Sequence, residues 1–433
     1  AGWVRGQGVF NDQSPDFSKD FSATSADIEV PLISHEIGQY SVYPDISEIS
    51  KYTGNLVATN FMAVRDDLKK KGRLSYAPAF LRASGKLATL LYKEEIERAL
   101  KTKEFDGFQL LQMQDFPGQG TALVGVLNAF WQPKGFVTAQ EFKRFNSPLT
   151  PLIRYPKAVY LNDERFVADV ELANFLKSLK GTVISWSVKN SKGRLIAGGE
   201  FAKQDFGIGN ALHAGRINAL LNSVTVASQL TVEVTVKGSV YTNSWKIWVY
   251  PANLPIAPAD IVVTDVYQEA MTALSAGKNV LLSPRTDTLK GIEGRFVPVF
   301  WSPVHFPDQP GTMGQLIKSA HRAFQYFPTD EHTDWQWWDL VKNSRTLAID
   351  DLQESAILVR VIDNFVTNGN LTNLFEVQVG KGKLLFSSID LISNLDSRPQ
   401  ARQLRYSLLQ YMQGNDFKPA NNVPEEWVRK LIK

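Results

Sequence analysis

The 433-residue sequence has no cysteine, which removes disulfides, thiolate nucleophiles and cysteine-ligated metals and leaves the redox compartment open. Histidine is scarce: His35, His213, His305, His321 and His332 show no ligand spacing, so no metal and no cofactor is expected. No apolar run approaches the ~18 to 20 residues of a membrane-spanning helix, so no membrane span is expected. An excess of one charge is missing too. Lys and Arg total 47 against 44 Asp and Glu, and no like-charge run exceeds Lys69-Lys70-Lys71, a solvated helix end. Nucleic acid is therefore not an expected partner, since such binding needs a basic stripe. The opening residues, Ala1-Gly2-Trp3-Val4-Arg5-Gly6, lack the basic-then-apolar order of a signal peptide. With no Met before them, further coding sequence is expected upstream.

What is present suffices for two to four domains with real cores. Residues 1–150 alternate apolar runs with helices: Ile28 to Ser34 as a buried strand, Asn60 to Lys71 and Tyr76 to Lys101 as helices, and Gly107 to Met113 as a second strand. This is the pattern of βα units with a parallel sheet. About two such units fit, fewer than an eight-stranded barrel needs. Residues 151–255 change to β-branched runs and turns: Ala158 to Leu161, Phe166 to Ala173, Thr182 to Val188, Arg194 to Ala197, Gln229 to Val236 and Ser244 to Tyr250. Six short strands with a hairpin turn at Asn190-Ser191-Lys192-Gly193 predict an immunoglobulin-like sandwich, its core filled by Trp186, Trp245 and Trp248. After a proline-rich linker at Pro251 to Pro258, residues 256–420 return to helix and strand alternation. They predict an open α/β sheet of flavodoxin-like or amidotransferase-like character. Residues 421–433 form a polar tail, expected to pack on a neighbour or fray.

Three stretches could carry chemistry. In Ser34-His35-Glu36-Ile37-Gly38-Gln39-Tyr40, an acid follows directly on the first strand, at the end where parallel α/β folds place their sites. Gly38 lets the backbone bend so that the Glu36 carboxylate faces a pocket, and His35, Gln39 and Tyr40 supply hydrogen-bonding neighbours. A carboxylate on an ordinary surface turn remains the plainer alternative. In Gln109 to Thr121, Asp115 and Gln119 could bind sugar hydroxyls from a loop loosened by Gly118 and Gly120. That loop lacks the Gly-Lys-Ser/Thr step of a phosphate loop. In the last domain, Phe300 to Phe306, Gln309 to Gly314, and His332 with Trp335-Gln336-Trp337-Trp338-Asp339 interleave rings with polar groups, either as a sugar platform that includes Trp337 or as the seal between the α/β domain and the barrel. Glu94 and Glu95 read as solvated helix charge beside Lys93 and Arg98. Asp260, Asp363 and Asp390 stay unassigned, and no glycine-rich nucleotide fingerprint follows the first strand of the last domain.

Pro31-Leu32-Ile33-Ser34-His35-Glu36-Ile37-Gly38, followed some seventy residues on by Phe108-Gln109-Leu110-Leu111-Gln112-Met113-Gln114-Asp115, resembles the last two barrel strands of family 2 glycoside hydrolases, the β-galactosidase and β-glucuronidase superfamily. Tyr43-Pro44-Asp45, Lys51-Tyr52-Thr53-Gly54 and Asp115 to Thr121 resemble a subgroup of large multi-domain bacterial members that append a β-sandwich and a terminal α/β domain. The resemblance implies the C-terminal strands and helices of a (β/α)8 barrel, Glu36 as the nucleophile of a retaining exo-glycosidase acting on terminal sugars, and a periplasmic or secreted setting. From the residues themselves, substrate contacts are expected from His35, Gln39, Tyr40, Asp115, Gln119 and Trp337. The family's acid/base lies in an Asn-Glu pair, and none occurs between Ala1 and Ile28, so the proton donor is expected upstream of residue 1. A carbohydrate substrate is the expected partner, with the missing N-terminal part or a second copy of the chain as possible protein partners. The terminal domain resembles amidotransferase-like domains, but without Cys it cannot perform amidotransfer. A non-catalytic carbohydrate-binding or scaffold module is the alternative function.

Overall fold

A computed structural model describes residues 9–255, 260–309 and 311–433, so Ala1 to Gly6 and Ile256 to Pro258 of the expected linker lie outside the described residues. The chain forms two compact units. The first holds residues 9–42, 88–252 and 300–305, and the second holds residues 43–87, 253–299 and 306–433. The expected boundary at residue 150 falls inside the first unit, and Phe300 to His305, expected in the terminal domain, belong to that unit as well.

In the first unit, β1 (Leu32–Gly38) and β2 (Phe105–Leu111) pair in parallel. Strand β1 starts four residues later than expected. Pro31 has no N–H to give a ladder, so it suits a strand's edge better than its interior, and the Leu32 N–H after it donates to Asp106 Oδ2 at 2.8 Å. Ile37 and Gly38 face Leu110 and Leu111, with a register shift between Ser34 and Ile37 that leaves His35 and Glu36 in a bulge. Phe21, Ala99 and Phe105, with Leu32 and Phe108, fill one apolar cluster, while Ala122, Val124 and Trp301, with Leu111 and Phe300, fill another. The described residues hold this one parallel pair of the barrel pattern.

The expected strands between Leu149 and Tyr250 form, with additions, two sheets and a ribbon. One sheet runs β10 (Gly209–Leu220), β5 (Arg165–Asn174), β3 (Leu149–Arg154). The other runs β4 (Val159–Leu161), β12 (Thr242–Tyr250), β11 (Ser228–Val236), β7 (Ile184–Asn190), β8 (Leu195–Glu200). Strands β6 (Leu179–Thr182) and β9 (Gln204–Phe206) make the ribbon. Alternate residues point inward, as in Phe166, Ala168, Val170 and Leu172 or Leu230, Val232 and Val234, all buried. Trp245 and Trp248 are buried as the sequence suggests, while Trp186 is half-buried beside Gly199 of β8. Asn190 accepts the N–H groups of Lys192 and Arg194, and Gly193 takes φ +77°, which makes the expected hairpin turn.

The second unit centres on a nine-stranded mixed sheet. Strands β13 (Ile261–Thr264), β14 (Asn279–Leu282) and β20 (Gly382–Ser387) are parallel. Strand β19 (Leu371–Val379) then runs antiparallel to β20, to β17 (Arg345–Ala348) and to β18 (Ile357–Asp363). Strands β15 (Ile292–Glu293) and β16 (Thr312–Ile317) extend it antiparallel, and β21 (Asn422–Val423) pairs with β19 in parallel. A flavodoxin-like sheet would be parallel throughout, so that expectation is corrected: β18, β19 and β20 follow one another through short connections, which can only join antiparallel neighbours. The expected tail is corrected too. Beyond β21, the 425–429 helix buries Val428 in the same apolar core as Val280, Phe375 and Leu384.

Candidate functional site

Glu36 projects from the bulge in β1 with its backbone left-handed at φ +57°; Gly38 follows at +97° and Gln39 at +71°. Left-handed backbone costs a non-glycine residue roughly 1–2 kcal/mol, and such outliers concentrate where a side chain must be aimed. The Glu36 side chain is 36% exposed and the His35 side chain 67%, with Nδ1 3.9 Å from Glu36 Oε1. Only glycine fits at 38, because a Cβ there would lie 2.0 Å from Tyr92 Cε1.

Behind this bend stands Glu95, fully buried on the helix Ala77–Lys101. Its Oε2 accepts the Gly38 N–H at 3.0 Å and the Tyr40 hydroxyl at 2.8 Å. Burial, then the Glu95 carboxylate, pushes the Tyr40 phenol well above its ordinary pKa and keeps it a donor. The reading of Glu94 and Glu95 as solvated charge is therefore corrected. Glu94 pairs with Arg98 at 2.8 Å with both side chains under 10% exposed, and Glu95 fastens the strand end that carries Glu36. The helix is covered on more than one face, so a surface reading from charge pattern fails there. Sequence reasoning missed Glu95 because its partners stand 55 and 57 residues away.

The other expected contacts divide. Gln39 and Tyr40 are 3% and 1% exposed. The Gln39 carbonyl accepts the Trp301 N–H, and the Tyr40 hydroxyl is committed to Glu95, so these two shape the site from behind. Asp115 is corrected from a sugar ligand to one half of a buried ion pair: Oδ1 accepts from Lys134 Nζ and from the Gly125 N–H, both at 2.9 Å. Gln119 is exposed in the turn that joins the paired Phe116 and Ala122. Trp337 is also corrected. It is fully buried, its indole N–H donates to Thr329 Oγ1 at 2.8 Å, and Phe324 and Phe327 flank it, so neither ring face is open to a sugar.

Past the end of β2 lies a surface the sequence reading passed over. The Asn128 side chain, 2% exposed as a residue, accepts the N–H groups of Phe130 and Gln132. The loop so closed presents Phe130 at 39% and Trp131 at 65% exposure, Trp131 with φ +62°. Leu127, just before it, bonds back to the Met113 carbonyl, two residues beyond β2. Phe116, tilted against Trp301, is 45% exposed. An asparagine followed two residues later by paired aromatics was the available signal. Among the described residues one group could hold a metal, Asp330, His332 and Asp334 in the second unit.

Two family models match the chain, both described as domains of unknown function: DUF8488 over residues 164–251 and DUF8487 over residues 261–433. No curated protein sequence matches it. Similar solved structures include the exo-chitosanase CsxA of Amycolatopsis orientalis, at 15% identity over 46% of this chain and 24% of that one, with a TM-score of 0.26. They also include the β-glucuronidase of Parabacteroides merdae, at 11% identity over 31% of this chain and 21% of that one, TM-score 0.19. The alkylpurine DNA glycosylase AlkC of Pseudomonas fluorescens is similar too, at 18% identity over 24% and 31% and TM-score 0.20. The chain thus spans less than a third of each of these proteins. Glycoside hydrolases stand among its structural neighbours at low coverage. No described helix is long and apolar enough to cross a membrane.

Proposed function

We propose that this chain belongs to a retaining exo-glycoside hydrolase in which Glu36 is the nucleophile. One observation carries the reading: a half-exposed carboxylate sits at the carboxyl end of a parallel strand, aimed by a left-handed backbone that Gly38, Glu95 and Tyr40 lock from behind. In such a reaction a Glu36 oxygen attacks the anomeric carbon as the bond to the leaving oxygen breaks. A second carboxyl group about 5–5.5 Å away protonates that oxygen and later takes a proton from the water that releases the sugar. Asp115 is held by Lys134 and cannot serve as this acid. The reading assigns the role to a residue outside these 433. Exposed Phe130 and Trp131 offer rings for the apolar face of a sugar, and they equally suit a binding module without catalysis.

Dinitrophenyl β-glycosides test the proposal, because such leaving groups need little acid assistance. The complete enzyme should turn over at least one of them, and Glu36→Gln should lower kcat by about three orders of magnitude or more. Near-normal turnover in Glu36→Gln would sink the assignment. Saturable sugar binding that survives Glu36→Gln, with no turnover by either protein, would favour the binding module.

A further inference from the structure

Asp330, His332 and Asp334 take no part in the site around Glu36. They alternate along residues 330–334, where the backbone bends at Glu331 and is extended at Asp334, and their ligand atoms converge. The backbone is pinned in this form: the Ile317 N–H donates to the Glu331 carbonyl at 3.0 Å, and His332 bridges antiparallel to Leu316 of β16. Between them Thr333 is buried, and its hydroxyl accepts the Gln315 N–H at 2.8 Å. Asp334 Oδ1 accepts the Trp335 N–H at 2.7 Å, and the Asp334 carbonyl accepts the Trp337 N–H at 2.8 Å, which fastens the far end to the turn Trp335–Trp337. One ligand atom from each of the three residues lies within 4.8 Å of the other two.

We propose that Asp330, His332 and Asp334 bind one divalent transition-metal ion, Zn²⁺ or Mn²⁺. Two carboxylate oxygens and one imidazole nitrogen make a borderline donor set, better matched to these ions than to Ca²⁺ or Mg²⁺, which take oxygen ligands almost alone. An ion about 2.0–2.2 Å from each donor needs donors about 3–3.5 Å apart. Metal binding would draw the three donors together by side-chain rotation, with Asp334 Oδ1 keeping the Trp335 N–H. Asp330 and His332 are half-buried and Asp334 buried, so the ion would keep an open side for water and would tie one side of the β16 edge to the turn that carries Trp337. The spacing Asp-x-His-x-Asp escapes a search for paired histidines or cysteines.

The test is calorimetric titration of the EDTA-stripped 433-residue chain near neutral pH with ZnCl₂ and with MnCl₂, and with CaCl₂ for comparison. The expected result is one Zn²⁺ or Mn²⁺ ion per chain, with a thermal midpoint that rises with metal concentration. His332→Gln and Asp330→Asn should each weaken binding by more than about tenfold, yet melt like the unsubstituted chain in EDTA. Asp334 is left intact because it caps the turn. Should either variant fail to fold, Mn²⁺ broadening of one of the five histidine imidazole NMR signals in the unsubstituted chain decides the matter. No saturable uptake of either ion up to millimolar concentration, uptake unchanged in both variants, or an unbroadened histidine set would each overturn the site.

Discussion

Gly38 shows how tightly single residues constrain the candidate site. Its φ of +97° and the 2.0 Å clearance to Tyr92 leave no room for a Cβ, so Gly38→Ala must shift either the Tyr92 ring or the strand end. Tyr92 cannot yield easily, being buried against Tyr40 and hydrogen-bonded to the Val124 carbonyl. The expected cost is about 2–4 kcal/mol, read as a lower urea midpoint with an unchanged slope; an unchanged midpoint would show that the bend is not needed. The role of Gly38 was legible from the sequence, because a glycine two residues after a strand-end acid has few other uses. Glu95 was not legible. Its neighbours Lys93, Glu94 and Arg98 look like a solvated helix face, and only the approach of Gly38 and Tyr40 shows which acid is turned inward.

Elements were legible where local periodicity determines them. The helices expected at Asn60 to Lys71 and Tyr76 to Lys101 appear as Thr59–Lys70 and Ala77–Lys101, and of the apolar positions expected to face inward Phe80, Leu87, Leu91 and Ile96 are buried and Leu90 half-buried. Short elements were not legible, and the 3-10 turn Arg322–Phe324 is one of them. His321 caps it, its Nδ1 accepting the Ala323 N–H at 3.2 Å, with Tyr411 edge-on at 5.0 Å. Burial, then Lys318, holds His321 below the ordinary histidine value of 6.5, against an opposing pull from Asp416. The unfolded chain therefore binds this proton more readily than the folded one. The stability it contributes is present above 6.5 and is lost as pH falls from there toward the depressed folded value. Between about pH 7.5 and pH 5.5 the thermal midpoint should fall more steeply in the unsubstituted chain than in His321→Asn, which keeps a capping acceptor. Parallel curves for the two proteins would refute the assignment.

At the scale of the molecule, the helix and the sandwich of the first unit are bound together by Glu97. It is 1% exposed, accepts from Trp245 Nε1 at 2.8 Å and from Asn243 Nδ2 at 2.8 Å, and pairs with Lys93 and with Lys101. Burial favours its neutral form, but Lys93 and Lys101 outweigh burial and hold its pKa below the ordinary 4.5. Its contribution is present above that value and lost as pH falls through the depressed one. Glu97→Ala leaves the buried Lys101 ammonium without this carboxylate and should cost about 3–5 kcal/mol, measured as a shift in the tryptophan-fluorescence unfolding curve. A shift under about 1 kcal/mol would mean that helix and sandwich hold together without it.

This tie explains why a boundary at residue 150, visible as a change of pattern, is not a boundary of compactness. What the sequence determined alone was local: where the longer helices and most sandwich strands lie and where the hairpin turns, because alternation, helical spacing and glycine chemistry act over a few residues; Glu36, expected just after the first strand, lies inside it in a bulge. Tertiary structure decided what depends on distant partners. It set the mixed direction of the terminal sheet, the burial of Trp337, the capture of Asp115 by Lys134 and the inward turn of Glu95, since burial and pairing are fixed by residues that meet only after the chain has folded.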